Sequence, residues 1–239
     1  MNRNVYLIKG DWRIIGRDPM LLLCVIAPIL LILVAVLVFP LISDLTGRLL
    51  NFPLQPYFPV LRLFIFPLTP MLFGMAYGFI LLDERDGGLI SYLAITPLGK
   101  SGYLQIRMLL PVAVSIIISI VYLVITGFMQ LLSAAEITAI SLITSMEAPL
   151  VVLVLGAYAG NKVEGMAISK GIGIIMLPML IDYFLPGSWR WIMSVSPLWW
   201  IERAVFSNGL YRWLYLAGAA LTHLIYLTFL YRKFEKRFG

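Results

Sequence analysis

The stretch Met20-Leu-Leu-Leu-Cys-Val-Ile-Ala-Pro-Ile-Leu-Leu-Ile-Leu-Val-Ala-Val-Leu-Val-Phe-Pro-Leu-Ile42 decides the fold class, because it carries no charge over a length that crosses a bilayer. A spanning helix needs about 20 predominantly apolar residues, or about 17–25 with tilt. Three more runs satisfy the same demand: Leu63–Leu82, Met108–Met129 and Ile137–Ala159. Two others are short or interrupted, since Gly171–Leu185 contains Gly173, Pro178 and Asp182, and Leu214–Tyr231 carries His223. The composition agrees. The 239 residues are 61% hydrophobic and 13% charged, with a mean hydropathy of +0.95; a soluble domain averages about 45–50% apolar and about 25% charged. The expected fold is all-α: a polytopic membrane protein with six transmembrane helices in one domain, residues 1–239.

The net charge of +6 comes from 18 Lys and Arg against 12 Asp and Glu. A nucleic-acid binder gathers such an excess on one polar face. Here it falls in short gaps between apolar runs, so the expected surroundings are the lipid bilayer, with no nucleic acid. With the N-terminus inside, thirteen basic residues lie in inner segments, among them Arg3, Lys9, Arg13, Arg17, Lys100, Lys162, Lys236 and Arg237. Five (Arg48, Arg62, Arg190, Arg203 and Arg212) lie outside. The inside-positive rule then places both termini in the cytoplasm. A single cysteine, Cys24, excludes an intrachain disulfide, and one Cys with one His223 excludes the common zinc sets, so no metal centre is expected.

Residues 1–19 do not read as a cleaved leader, because the apolar run after them is too long and no small-residue site follows it. Val5, Ile8, Trp12 and Ile15 recur at helical spacing among Arg3, Lys9, Asp11 and Arg13, the pattern of an amphipathic interfacial helix. A frayed basic tail is the alternative. The longest gaps are about 20–25 residues, too short for a soluble domain. Ser43–Pro59, with three prolines, reads as an external loop, and residues 186–209 crowd Trp189, Trp191, Trp199 and Trp200 as short helices in the outer interface, broken at Pro197. No fixed-period repeat is visible, so a two-fold assembly needs a second subunit.

The cytoplasmic loop at residues 83–103 is the most informative segment. It reads Asp83-Glu-Arg-Asp-Gly-Gly-Leu-Ile-Ser-Tyr-Leu-Ala-Ile-Thr-Pro-Leu-Gly-Lys100. Gly87-Gly88 breaks the second span, and Thr96-Pro97 marks a new helical start. Between them Leu89, Tyr92 and Leu93 form an apolar i, i+3, i+4 face, suited to a groove on a cytoplasmic partner or to resting on lipid. Ala94–Ser101 imitates a phosphate-binding loop, but Ala94 replaces its first glycine and there is no room for the parallel strand that such a loop needs. The chain therefore has no ATP site of its own and is not an enzyme by this reading.

Here the sequence resembles a family. The order Glu84-Arg85-Asp86-Gly87-Gly88, then Leu93, then Thr96-Pro97 is similar to the signature after the second span of type-2 ABC exporter permeases. Leu89-Ile90-Ser91 stands where that family often has Thr-Leu-Glu. The basic N-terminal helix, the six spans and Ser196-Pro-Leu-Trp-Trp200 follow the same layout. Asn161-Lys-Val-Glu-Gly165 resembles the drug-export subgroup that includes fluoroquinolone-type permeases. The resemblance implies a prokaryotic cell-membrane permease that pairs with a second permease subunit, identical or paralogous, and with cytoplasmic ATPase subunits. ATP and Mg would sit on those partners, the loop from Glu84 to Pro97 would couple the two, and the cargo would be exported.

Within the membrane Glu147, two residues before Pro149, is the sharpest residue: a mid-span charge costs roughly 2.5–3.5 kcal/mol, and such residues face the interior. It is either a cargo contact or a carboxyl hydrogen-bonded to a neighbour such as Ser141, Ser145 or Thr126. Met71 and Met75, with Met176 and Met179, are candidates for an adaptable apolar cargo path or for plain packing. Asp182 is expected to pair with Arg190 or Arg203, and the breakers Gly171, Gly173 and Pro178 interrupt the fifth span. An intramembrane serine hydrolase would use His223 with a glycine-flanked serine, which Ser141 and Ser145 are not. The remaining alternative is a self-sufficient secondary carrier or channel, for which internal repeats and several intramembrane charges are expected. The sequence leaves the cargo as an amphipathic or hydrophobic small molecule, peptide or lipid-like compound.

Overall fold

The computed structural model describes residues 3–89, 99–185 and 187–238, and every regular element among them is helical. The N-terminal helix α1 (Arg3–Arg17) is followed by Asp18, whose side chain caps α2 by accepting from Met20 N and Leu21 N. Six segments among the described residues are long and apolar enough to cross a membrane: Pro19–Leu50, Gln55–Asp86, Gly102–Ile125, Ala134–Tyr158, Lys162–Phe184 and Gly209–Arg237. The chain is a multi-pass membrane protein.

The first span joins α2 (Pro19–Leu33) to α3 (Phe39–Leu50) through a π-helical turn, Val34–Val38. Pro40 is the cause. In this turn Phe39 N–H bonds Val34 O, five residues back, and the next donor would be the missing N–H of Pro40. The freed carbonyl of Ala35 takes Arg62 Nε instead, at 3.3 Å. The span runs eight residues past the apolar run, until Asn51 turns left-handed at φ 49°. Most of the external loop expected at Ser43–Pro59 is therefore helix, because Pro56 and Pro59 sit at the first turns of Gln55–Tyr57 and of α4 (Phe58–Ile65), where their missing N–H costs nothing.

The second and fourth spans form the centre of the bundle. About 78% and 67% of their most apolar stretches are buried, against 17–28% for the other four. They approach closely because α5 (Leu68–Asp86) carries Gly74-x-x-x-Gly78. A methyl group on Gly74 would lie 2.5 Å from Ala148 O, and one on Gly78 would lie 2.6 Å from Leu155 Cδ1. Small residues four apart let helix backbones meet in lipid, where no hydrophobic driving force pulls helices together. The third span, within α6 (Gly99–Ile125), and the sixth, α12 (Gly209–Phe238), pack around this pair.

The fourth span is two helices, α7 (Ala134–Thr144) and α8 (Glu147–Tyr158), since Pro149 cannot donate to the carbonyl of Ser145 and Ala148 N bonds it instead. The fifth span breaks as its glycines and Pro178 predict, into α9 (Lys162–Ile172), a 3-10 stretch (Gly173–Met176) and α10 (Leu177–Phe184). It is not a short span, however: helix persists through Lys162, Glu164 and Lys170, which end the apolar run from Gly171 but not the helix. Between the last two spans lie a 3-10 helix (Ser188–Val195) and α11 (Pro197–Phe206), divided at Pro197 as expected. Trp199 is wholly buried and Trp200 packs on Gly218, so these two tryptophans serve the core rather than a headgroup belt.

Gly74→Val places a Cβ against Ala148 and Val151, so thermal melting in detergent is expected to show a loss of about 1–3 kcal/mol or more. Gly47→Ala, where an added methyl meets nothing within 4 Å, is expected to leave the melt unchanged or raise it.

Candidate functional site

The break before Pro149 presents Glu147 at the first turn of α8, mid-depth in the fourth span, with 2% of its surface exposed. Its partner comes from the sixth span. His223, fully buried, places Nε2 3.3 Å from Glu147 Oε1 while Nδ1 lies 2.7 Å from Ala219 O. A carbonyl accepts only, so Nδ1 carries the hydrogen and Nε2 turns towards the carboxyl. Of the side chains expected near Glu147, Ser145 Oγ donates to Ser141 O and Thr126 Oγ1 to Tyr122 O, both at 2.6 Å, while Ser141 Oγ is buried without a hydrogen-bond partner among the described residues. The sequence shows both members of this pair but not their meeting, because nothing in a linear pattern sets the rotation of the sixth span against the fourth. Among the described residues no serine hydroxyl is hydrogen-bonded to His223, so the geometry that the hydrolase reading needs is not found there.

Glu147 also lines a cleft of about 450 Å³ between α8, α9 and α12. The other walls are apolar or aromatic, including Val151, Tyr158, Ile172, Tyr226 and Phe229. The methionines lie elsewhere. Met71, Met176 and Met179 are buried in the central core cluster, Met75 packs against it, and none of the four lines the cleft.

At the face carrying both termini, ionic groups bind the base of the second span to three other elements. Arg107, 2% exposed, bonds Asp11 at 2.5 Å, Glu84 through Nε at 3.1 Å and a second contact, and Tyr103 Oη at 3.1 Å. Tyr103 in turn donates to Glu84. Lys162 reaches Asp18 and Asp83, each at 2.7 Å, and its backbone N–H bonds Asp86. The lysine holds the Asp18 carboxyl below its usual range. Among the residues of α1 whose burial is described, Asp11 and Ile15 are buried and Trp12 is 65% exposed. A tryptophan at a polar boundary and an acid one turn from Ile15 both fit a helix that packs through its salt bridge.

Glu84 and Asp86 thus anchor the loop that follows. Arg85 lies 3.6 Å from Asp86, Gly87 and Gly88 end the helix, Gly88 at φ 73°, and Leu89 is half exposed. Tyr92, Leu93, Thr96 and Pro97 lie outside the described residues.

The opposite face is held by a second set. Asp182 takes both predicted arginines, Arg190 at 3.2 Å and Arg203 at 2.7 Å. Glu202, 3% exposed beside them, has its carboxyl pushed up to about 8 by burial and by the neighbouring Asp182. Arg212 pairs with Glu136, and Arg62 joins three spans by donating to Ala35 O and Thr126 O.

Three expectations follow. Replacing Arg107 with Leu leaves Asp11 and Glu84 without their cation, so melting in detergent should show a loss of about 3–5 kcal/mol. Lys162→Met, at a more exposed site, should cost no more than about 1 kcal/mol. For Glu202 the folded state holds a proton that the unfolded chain releases near 4.5, so stability is greatest at low pH and falls as pH rises through about 8. A pH series of melts should show that fall in the native chain and a flatter profile in Glu202→Gln.

The sequence model of the family described as "Fluoroquinolones export permease protein Rv2686c-like" matches residues 11–231. Two curated relatives from Mycobacterium tuberculosis are each 28% identical to this chain over 234 residues, covering 96% of it and 92% of the relative. They are "Fluoroquinolones export permease protein MT2760" of strain CDC 1551 / Oshkosh and "Fluoroquinolones export permease protein Rv2686c" of strain ATCC 25618 / H37Rv. No solved structure matches. The matched region opens at Asp11, the partner of Arg107, and runs through Glu147 and His223 to the end of the sixth apolar run, so this multi-pass chain belongs to the Rv2686c-like fluoroquinolone export permease family.

Proposed function

We propose that this chain is the membrane-spanning subunit of an ATP-driven ABC exporter, with both termini cytoplasmic and α1 at the inner membrane surface. The observation that carries the reading is the ionic junction beneath the second span. Asp83, Glu84 and Asp86 immediately precede the loop that resembles a coupling helix; they are bonded to the third span and the start of the fifth, and Arg107 links Glu84 on to Asp11 of α1. A push on that loop reaches four elements as one body, which is what a rigid-body switch between inward and outward access requires. The chain supplies no nucleotide chemistry. ATP and Mg belong to cytoplasmic ATPase subunits, and a second permease subunit completes the assembly.

The relatives named as fluoroquinolone export permeases make an amphipathic small molecule the favoured cargo. The apolar cleft headed by one carboxyl fits that class. The runner-up is a self-sufficient secondary carrier, which the Glu147–His223 pair favours because it doubles the ionisable groups at mid-membrane.

The test is co-purification with an ATPase subunit, followed by transport in reconstituted vesicles. Arg85→Glu and Leu93→Pro are expected to lower ATP-driven transport by about tenfold or more while ATP hydrolysis and membrane insertion persist. Cross-linking should trap a permease pair. Normal transport by both variants, or transport by this chain alone on a proton gradient, would overturn the assignment.

A further inference from the structure

We propose that the cleft between α8, α9 and α12 binds a lipophilic ammonium, a protonated amine on an apolar or aromatic body, that enters sideways from the bilayer and takes Glu147 as its counter-ion. This rests on the export-permease reading and names the cargo chemistry that the reading leaves open.

Four observations carry it. The cleft is about 450 Å³, within the range of about 300–1,000 Å³ typical of small-molecule sites. Its one acidic lining residue is Glu147, buried to 2% exposure and with Oε1 lacking a hydrogen-bond donor among the described residues. A buried polar atom without a partner is costly, and a ligand N–H supplies what it lacks. His223 does not satisfy it, since its Nδ1 hydrogen is committed to Ala219 O and Nε2 is likewise unbonded.

The second observation is the remaining wall, where Tyr226 and Phe229 offer ring faces, which attract cations as well as apolar surface, beside Tyr158, whose ring already holds Lys233 Nζ 3.8 Å from its centre. The third is access. Phe229 is 59% exposed on the outside of the sixth span, and a methyl built on Gly171 meets no atom within 4 Å, so the mouth of the cleft opens away from the bundle core. The fourth is charge complementarity. The cations Lys162, Arg237 and Arg107 lie at the terminal face, bonded to Asp18 and Asp83, to Ala157 O, and to Asp11 and Glu84 respectively, and Lys233, near the end of the sixth span, sits over the Tyr158 ring. Among the described residues none of these cations is paired with Glu147, whose ion-pair neighbour is His223 alone, so no lysine or arginine opposes an incoming cation at mid-depth. An anionic cargo is disfavoured at the same place.

The experiment uses the full chain in nanodiscs of zwitterionic lipid without any ATPase, so that it reports on the cleft and not on coupling. Equilibrium dialysis against empty discs measures retention of dansylcadaverine, whose primary ammonium is attached to an aromatic body, and of its N-acetylated, uncharged form. The native chain is expected to bind dansylcadaverine above the empty-disc background and to bind the acetylated form about tenfold more weakly. Glu147→Gln, which keeps the shape of the side chain and removes its charge, should weaken dansylcadaverine to the acetylated level. Gly171→Phe, which fills the mouth, should abolish binding of both, and it keeps the proposal testable if the Gln variant does not fold.

Four results would overturn it: equal binding of the charged and acetylated probes, full binding by the Gln variant, full binding by the Phe variant, or no retention above empty discs. Loss of a cross-linked permease pair in Gly171→Phe would also overturn it, by making the cleft a seam between subunits. Failure of ATPase co-purification, by contrast, would strike the exporter reading and leave this site standing.

Discussion

The close approach of the second and fourth spans at Gly74 and Gly78 is the constraint on which the remaining structure depends. With a methyl on Gly74 only 2.5 Å from Ala148 O, no larger residue permits this separation without moving backbone. Everything central is built on it. The same contact places Ala148, and hence the neighbouring Glu147, against the core, and it lets the sixth span close on the far side, where Phe234 packs within 2.6 Å of a methyl built on Gly156. The two central helices are the best buried of the six because the other spans take the exposed surface.

In lipid, each polar group must find its partner inside the protein. The chain meets that demand locally where it can. Ser145, Thr126 and Thr222 return their hydroxyl hydrogens to carbonyls one turn back, and His223 does the same with its ring. Where proline removes a backbone donor, a side chain from another span steps in, as Arg62 does at Ala35. Charged groups then gather at the two ends, Arg107 and Lys162 at one, Arg203 and Arg212 at the other, each with its acid. Glu147 is the exception, since it has only the second nitrogen of a histidine before it.

That distribution separates two mechanical roles. The ends are clamped by charge-assisted bonds that hold loops to spans. The middle holds a cleft whose walls come from two interrupted spans, the fourth broken at Pro149 and the fifth running through a 3-10 stretch. Interrupted helices of this kind line binding sites in transporters because unwound backbone is tolerated only where it faces protein or a cavity. The tightly packed second span stands between the clamp and the cleft and touches both the third and the fourth spans.

The sequence by itself determined the six spans, their approximate centres, the interruption of the fifth span around its glycines and Pro178, the break at Pro197, and the pairing of Asp182 with its arginines, because hydropathy, proline geometry and charge neighbourhood are local properties; the break before Pro149 emerged only in the structure. It also contained Gly74-x-x-x-Gly78, Glu147 and His223 as letters. It overextended the first external loop and shortened the fifth span, since helices do not stop where apolarity does. Only the tertiary structure decided that Trp199 is core, that Asp11 rather than Trp12 faces inward from α1, and that the methionines pack in the core while Glu147 heads a cleft. Those outcomes depend on the rotation of each helix about its own axis, and that rotation is set by neighbours distant in the chain.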